Sequence, residues 1–221
     1  MADVAENLRI IKSGIPESVT LIAVSKTKPV ADIRRVYDAG QRDFGENRVQ
    51  EVLDKAPQLP GDIRWHLIGH LQSNKVKYIA PFVHLIHSVD SLKLLEEINR
   101  QGQKLDRKIP CLLQFHIASE DTKFGMNPEE AHDLLNSDAY TAMRHVLISG
   151  VMGMATFTDD KAVIVREFNR LAEIFRQLKT AHFGETVEFK EISMGMSGDY
   201  PIAINCGSTM IRVGSAIFGE R

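Results

Sequence analysis

Apolar positions along this chain fall into short runs that alternate with stretches of helical spacing, and the alternation repeats eight times. In the first run Val19, Leu21 and Ala23 lie on one side and Thr20, Ile22 and Val24 on the other, so both faces of the strand read as buried. That pattern belongs to a parallel sheet covered by helices. The run predicts a strand over 19–25, and similar runs predict strands over 42–44, 63–66, 84–87, 109–115, 146–151, 188–193 and 209–213. Helical patterns lie between them at 30–39, 47–56, 72–80, 91–101, 128–137, 160–180 and 200–206. Several open on Asp, Ser, Asn or Pro, residues that cap a helix or suit its first turn. A further helix over 2–13, with Val4, Leu8 and Ile11 on one face, precedes the first strand.

Eight strand–helix repeats in 221 residues predict one domain over 1–221 with the α/β architecture of a TIM (β/α)8 barrel; a doubly wound open sheet is the alternative. The barrel makes a demand on the chemistry. Functional residues belong at the C-terminal ends of strands, and a phosphate site belongs after strands seven and eight.

Composition narrows the function classes. The 43% hydrophobic content suffices for a full core, and no Ser/Gly/Pro-rich linker divides the chain. Net charge is -2 with both signs interspersed, so no basic stripe offers itself to nucleic-acid phosphates. No basic segment followed by an apolar stretch opens the chain, and no run of eighteen apolar residues occurs, which predicts a soluble cytoplasmic protein without a membrane partner. Cys111 in a predicted strand and Cys206 in a predicted helix have no CxxC spacing and read as buried thiols.

Lys26 is the first chemical signal. It continues the face of Thr20, Ile22 and Val24 at the tip of the first strand, where burial would disfavour the ammonium form and leave a nucleophile toward carbonyl carbons. The competing reading is a lysine that snorkels to the rim of the sheet. After the seventh strand comes the small-residue loop Ser193-Met-Gly-Met-Ser-Gly-Asp199, and after the eighth comes Gly214-Ser215. Side by side, these loops would present backbone N–H groups to an anion, although each alone also reads as a simple turn. Neither a P-loop nor a Gly-x-Gly-x-x-Gly fingerprint is present.

Arg212 interrupts an apolar strand in phase with Gly214, so its partner is a phosphate, an aromatic nitrogen or, in a purely structural reading, Glu46. An amine, a phosphate cradle and an arginine together suit a small phosphorylated carbonyl compound bound as a Schiff base, and pyridoxal 5'-phosphate (PLP) fits best. His66 and His70 have the spacing of a metal pair but Leu, Ile and Gly between them, so no metal is expected and His66 reads as a hydrogen-bonded histidine. Gln72, Asn74 and Lys75 are expected to open a helix near the cofactor mouth. Lys75 and Lys123 are candidate anion contacts, and Met152, Met154, Met194 and Met196 are expected to line the barrel mouth.

Six segments carry a resemblance that runs along the whole chain: Ala23-Val-Ser-Lys26-Thr-Lys-Pro29, Asp43-Phe-Gly-Glu-Asn47-Arg-Val-Gln-Glu51, Trp65-His66-Leu-Ile-Gly69-His-Leu-Gln72-Ser-Asn74-Lys75, Lys123-Phe-Gly125, the 193–199 loop and Gly207-Ser-Thr-Met-Ile-Arg-Val-Gly-Ser-Ala-Ile-Phe-Gly219. In these the chain resembles the pyridoxal phosphate homeostasis protein family, relatives of the barrel of bacterial alanine racemase. The resemblance implies PLP on Lys26, Asn47 near the ring oxygen, and Ser197, Gly198, Gly214 and Ser215 around the phosphate, with Arg212 close to the pyridine or the phosphate. It assigns no catalytic residue. The racemases place a tyrosine from a separate C-terminal domain on the second face of the cofactor. Here the chain ends soon after the eighth strand, and of Tyr37, Tyr78, Tyr140 and Tyr200 only Tyr200 falls near the proposed cradle. The expectation is a monomeric protein that buffers PLP or delivers it to apo-enzymes. A weak racemase or lyase, and a pure interaction module, are the alternatives.

Overall fold

A computed structural model describes residues 3–119 and 124–220 of the chain. Its strands are β1 (Thr20–Val24), β2 (Asp43–Glu46), β3 (Arg64–Leu67), β4 (Leu85–Val89), β5 (Ile109–Phe115), β6 (Val146–Gly153), β7 (Glu191–Ser193) and β8 (Met210–Val213). They pair in chain order, all parallel, into a closed barrel. Closure rests on β1 against β8, with Ile22 opposite Arg212, and this pairing eliminates the open sheet.

Alternation along each strand divides the core in two. Ile22, Leu85, Leu112, Met152 and Met210 meet inside the barrel. Their neighbours Leu21, Ala23, Phe44, Trp65, Leu67, Ile86, Leu113, Ile192 and Ile211 point outward into a larger apolar layer beneath the helices. That layer is covered by α1 (Val4–Ser13), α2 (Val30–Asp38), α3 (Val49–Lys55), α4 (Val76–Ile79), α5 (Leu92–Lys104), α6 (Pro128–Asn136), α7 (Asp138–Thr141), α8 (Lys161–Leu178), α9 (Tyr200–Asn205) and α10 (Ser215–Phe218).

Local sequence explains the helix starts. Asp3 accepts from the N–H groups of Ala5 and Glu6, and Asp160 from those of Ala162 and Val163. Asn127 and Glu130 form a reciprocal capping box with Pro128 in the first turn. Three expectations shift. The helix expected over 72–80 is a 3-10 turn, Ser73–Lys75, followed by α4, and α8 ends in a π turn at Lys179–Phe183 rather than running to 180. The strand expected over 188–193 is paired only from Glu191, because Phe189 leaves the ladder to stack between Phe175 and Phe183, at 4.9 and 3.9 Å. Cys206 lies just past the end of α9 and is half-buried, whereas Cys111 is buried in β5.

Candidate functional site

The C-terminal ends of the strands open onto a cavity of about 690 Å³ whose wall includes Lys26, Asn47, Ser197, Gly198, Arg212, Gly214 and Ser215. All seven residues singled out from the sequence meet there, from strands that are far apart in the chain.

Lys26 follows β1 in phase with Ile22 and Val24 and is half-buried in the cavity wall. Its loop is fixed from behind by α3. Lys55 Nζ donates to the carbonyl of Ser25 (2.9 Å), to Glu46 Oε1 (2.8 Å) and to Glu51 Oε2 (2.8 Å), while the Ser25 hydroxyl donates to Glu46 Oε1 at 2.6 Å. Glu51 Oε2 also accepts the backbone N–H of Thr27, which sits at φ 63 in the left-handed region. Burial raises the pKa of Glu46 against the pull of Lys55 and Ser25. Burial also pushes Glu51 upward, but Lys55 and the Thr27 N–H outweigh it and hold that carboxyl below its usual range. Lys28 Nζ donates to the carbonyls of Phe218 (3.3 Å), Gly219 (3.0 Å) and Glu220 (3.2 Å), which ties the end of α10 to the same loop.

The two small-residue loops meet through Ser197. Its hydroxyl oxygen accepts the N–H of Gly214 at 3.2 Å and that of Ala216 at 3.4 Å. Gly195 has φ 95, and a Cβ there would lie 2.6 Å from Ala203 Cβ, so the loop needs glycine to turn against α9. Asp199 Oδ1 accepts the N–H of Met196 at 2.5 Å and closes the turn. A Cβ on Gly198, by contrast, would meet nothing within 4 Å. Small residues, backbone N–H groups and cations around one cavity fit an anionic, carbonyl-bearing ligand such as PLP.

Arg212 points into the barrel and is 4% exposed. It donates to Ser193 Oγ at 2.6 Å and to the carbonyl of Gly153 at 3.1 Å. Burial lowers its pKa to about 10, opposed by Asp199, so it stays a cation at neutral pH. The alternative pairing with Glu46 is not formed: Glu46 faces the other side of the sheet, toward α3, and belongs to Lys55.

Other expectations divide. Met154 and Met196 line the cavity, but Met152 is packed inside the barrel and Met194 in the outer layer. Tyr200 packs against the outer core and is absent from the cavity wall. His70 lies at the mouth, stacked on Phe124 at 4.7 Å, whereas His66 is buried in the barrel, so the two histidines do not form a pair. Gln72 and Lys75 line a second cavity of about 500 Å³ that shares Asn47 and His70 with the first. Lys123 lies outside the described residues.

Sequence reasoning missed the polar residues inside the barrel: Asp43, His87 and Ser193, with His66 between them. Among the described residues Asp43, His66 and His84 are the one group spaced to share a metal ion. Asp43, however, already takes Arg64 on both oxygens, at 2.7 and 2.5 Å, and His66 on one. Burial and the neighbouring His66 lower the pKa of His84 to about 4. The available signal was phase, since His66 sits inward between the outward Trp65 and Leu67, and His87 follows the outward Ile86.

The family model of the alanine racemase N-terminal domain matches residues 1–221. The pyridoxal phosphate homeostasis protein of Pasteurella multocida is 39% identical over 227 aligned positions, covering 100% of this chain and 96% of its own length. The chain belongs to the pyridoxal phosphate homeostasis protein family. The homeostasis protein of Escherichia coli K12 is 36% identical, with 100% of this chain and 98% of that protein covered. PipY of Synechococcus elongatus, 38% identical, superposes with a TM-score of 0.91 without PLP and 0.87 with PLP bound, over 98% of this chain and 100% of PipY. The alanine racemase of Clostridium difficile 630 shares the fold at a TM-score of 0.81 and 15% identity, and this chain spans 57% of its length. No helix among the described residues is long and apolar enough to cross a membrane.

Proposed function

We propose that this homeostasis protein binds PLP in the 690 Å³ cavity, linked through Lys26, and buffers it or delivers it to apo-enzymes without fast turnover of its own. The observation that carries the reading is the convergence of Lys26, both small-residue loops and Arg212 on one cavity. PipY, of the same fold and 38% identical, has been solved with PLP bound, which supports the same ligand here.

When bound, PLP supplies an aldehyde with which a primary amine condenses, releasing water. Lys26 is the amine. The loop pinned by Glu51 and Lys55 restricts where its Nζ can reach. Ser197, Gly198, Gly214 and Ser215 would hold the phosphate with small side chains and backbone N–H groups, and Asn47, on the wall of the same cavity, would meet the ring oxygen. Arg212 keeps a fixed cation at the wall. Against the pyridine nitrogen it would discourage ring protonation and weaken the electron sink that amino-acid chemistry needs.

A racemase would need a second acid/base group facing Lys26, and Tyr200 lies outside the cavity wall. The test loads the protein with PLP, removes the excess and adds an apo PLP-dependent enzyme. Reactivation at a rate set by release from this protein supports storage and delivery. Failure to reactivate the enzyme, or α-proton exchange into amino acids from deuterated buffer at enzymatic rates, contradicts it.

A further inference from the structure

Beneath Arg212 the barrel interior holds one continuous chain of polar side chains. Arg212 donates to Ser193 Oγ at 2.6 Å, and Ser193 Oγ lies 2.9 Å from His87 Nδ1. His87 Nε2 lies 2.9 Å from His66 Nδ1, and His66 Nε2 lies 3.0 Å from Asp43 Oδ1. Arg64 grips Asp43 from outside at the first residues of β2 and β3. The chain therefore runs through β8, β7, β4, β3 and β2, from the cavity wall to the opposite end of the barrel.

Its ends fix its direction. A guanidinium only donates and an ionised carboxylate only accepts. Asp43 stays ionised because hydrogen bonds from Arg64 and His66 outweigh the burial that would otherwise raise its pKa. Burial, first of all, and then the neighbouring His66 and Arg212 lower the pKa of His87 well below the usual imidazole value, so it is neutral. Ser193 therefore donates to His87, His87 to His66, and His66 to Asp43. The reverse order would bring two donors to Ser193 and leave its own hydroxyl proton without an acceptor in an apolar interior. Ser193, His87 and His66 are each no more than 1% exposed. Hydrophobic side chains of similar volume would fill this space without the desolvation cost of buried polar groups.

We propose that Ser193, His87, His66 and Asp43 are positioning residues that form a polarised strut, holding the Arg212 guanidinium at the cavity wall and coupling the far end of the barrel to the way PLP is held. The proposal rests on the cavity being the PLP site. It concerns how Arg212 is held there.

The test compares H87L, which removes both hydrogen bonds, with H87Q, whose amide can still accept from Ser193 and donate to His66. D43N removes the charge at the opposite end of the barrel, and L112A is an apolar control within the same interior. Each is assayed for melting temperature, PLP affinity by equilibrium dialysis and the absorbance maximum of bound cofactor, with R212A alongside. H87L and D43N are expected to weaken PLP binding by about tenfold and to shift the maximum in the direction R212A shifts it. H87Q is expected to restore most of both, and L112A to lower the melting temperature while leaving the maximum in place. Wild-type affinity and spectrum in D43N and H87L, with R212A altered, would overturn the strut alone, as would an equal spectral shift in L112A. If H87L does not fold, D43N decides. A wild-type protein that binds no PLP would overturn the reading of the cavity instead.

Discussion

Glu51 Oε2 accepts the backbone N–H of Thr27 at 2.7 Å, so a carboxylate on α3 holds the residue next to Lys26 in its left-handed conformation. A non-glycine residue in that region costs on the order of 1 kcal/mol and persists when its surroundings enforce it. Replacing Glu51 by Ala removes the restraint and one partner of Lys55. The expected outcome is a stability loss of about 1–2 kcal/mol in urea melts and PLP binding weakened by about tenfold. Wild-type affinity in E51A would show that the loop holds Lys26 without α3.

Lys55 supplies the counter-charge for Glu46, which is fully buried. Lys55→Met leaves that carboxylate unpaired and is expected to cost about 3–5 kcal/mol at neutral pH, partly recovered in the double variant with E46Q. The pH dependence has a definite sign. The pKa of Glu46 is raised in the folded protein, so its contribution is most favourable below the ordinary value of 4.5 and declines as pH rises through the raised value. K55M raises it further, and its deficit relative to wild type should be smaller at pH 5 than at pH 8.

Two glycines of one loop separate turn geometry from open space. Gly195→Ala would place a Cβ 2.6 Å from Ala203 Cβ at φ 95, and is expected to cost about 2 kcal/mol and to weaken PLP binding. Gly198→Ala meets nothing within 4 Å and should leave the melting temperature unchanged, so any effect on PLP reports a phosphate held against that backbone.

His87 links stability to acid. Its pKa is lowered in the folded state, so the unfolded chain binds a proton that the native barrel excludes. Its contribution is complete above the ordinary value of 6.5 and is lost as pH falls, at up to about 1.4 kcal/mol per pH unit. Urea titrations between pH 7 and pH 5 should show a shallower decline in H87L than in wild type. Parallel curves would mean that His87 accepts a proton inside the folded barrel.

Much of this site was legible because barrel geometry converts sequence order into position. Lys26 in phase with Ile22, and glycine-rich loops after the last two strands, needed no knowledge of distant contacts. The interior strut needed such knowledge, since His87 and Ser193 are 106 residues apart and meet across the barrel. An ion pair of Arg212 with Glu46 across the barrel is compatible with the sequence, but their strand phases send Glu46 outward to Lys55 and Arg212 inward to Ser193. Tyr200 is near the cradle in sequence, yet it opens α9 and packs against the outer layer. The four-residue helix α7 is too short to display a helical period.

The proposed point of attachment for PLP is Lys26. Borohydride reduction of the PLP-loaded protein, followed by peptide mass mapping, tests it directly. A reduced pyridoxyl adduct on the peptide containing Lys26, absent from K26A prepared in parallel, is the predicted result. An adduct confined to Lys28 or another lysine, or the same labelling in K26A, would contradict it.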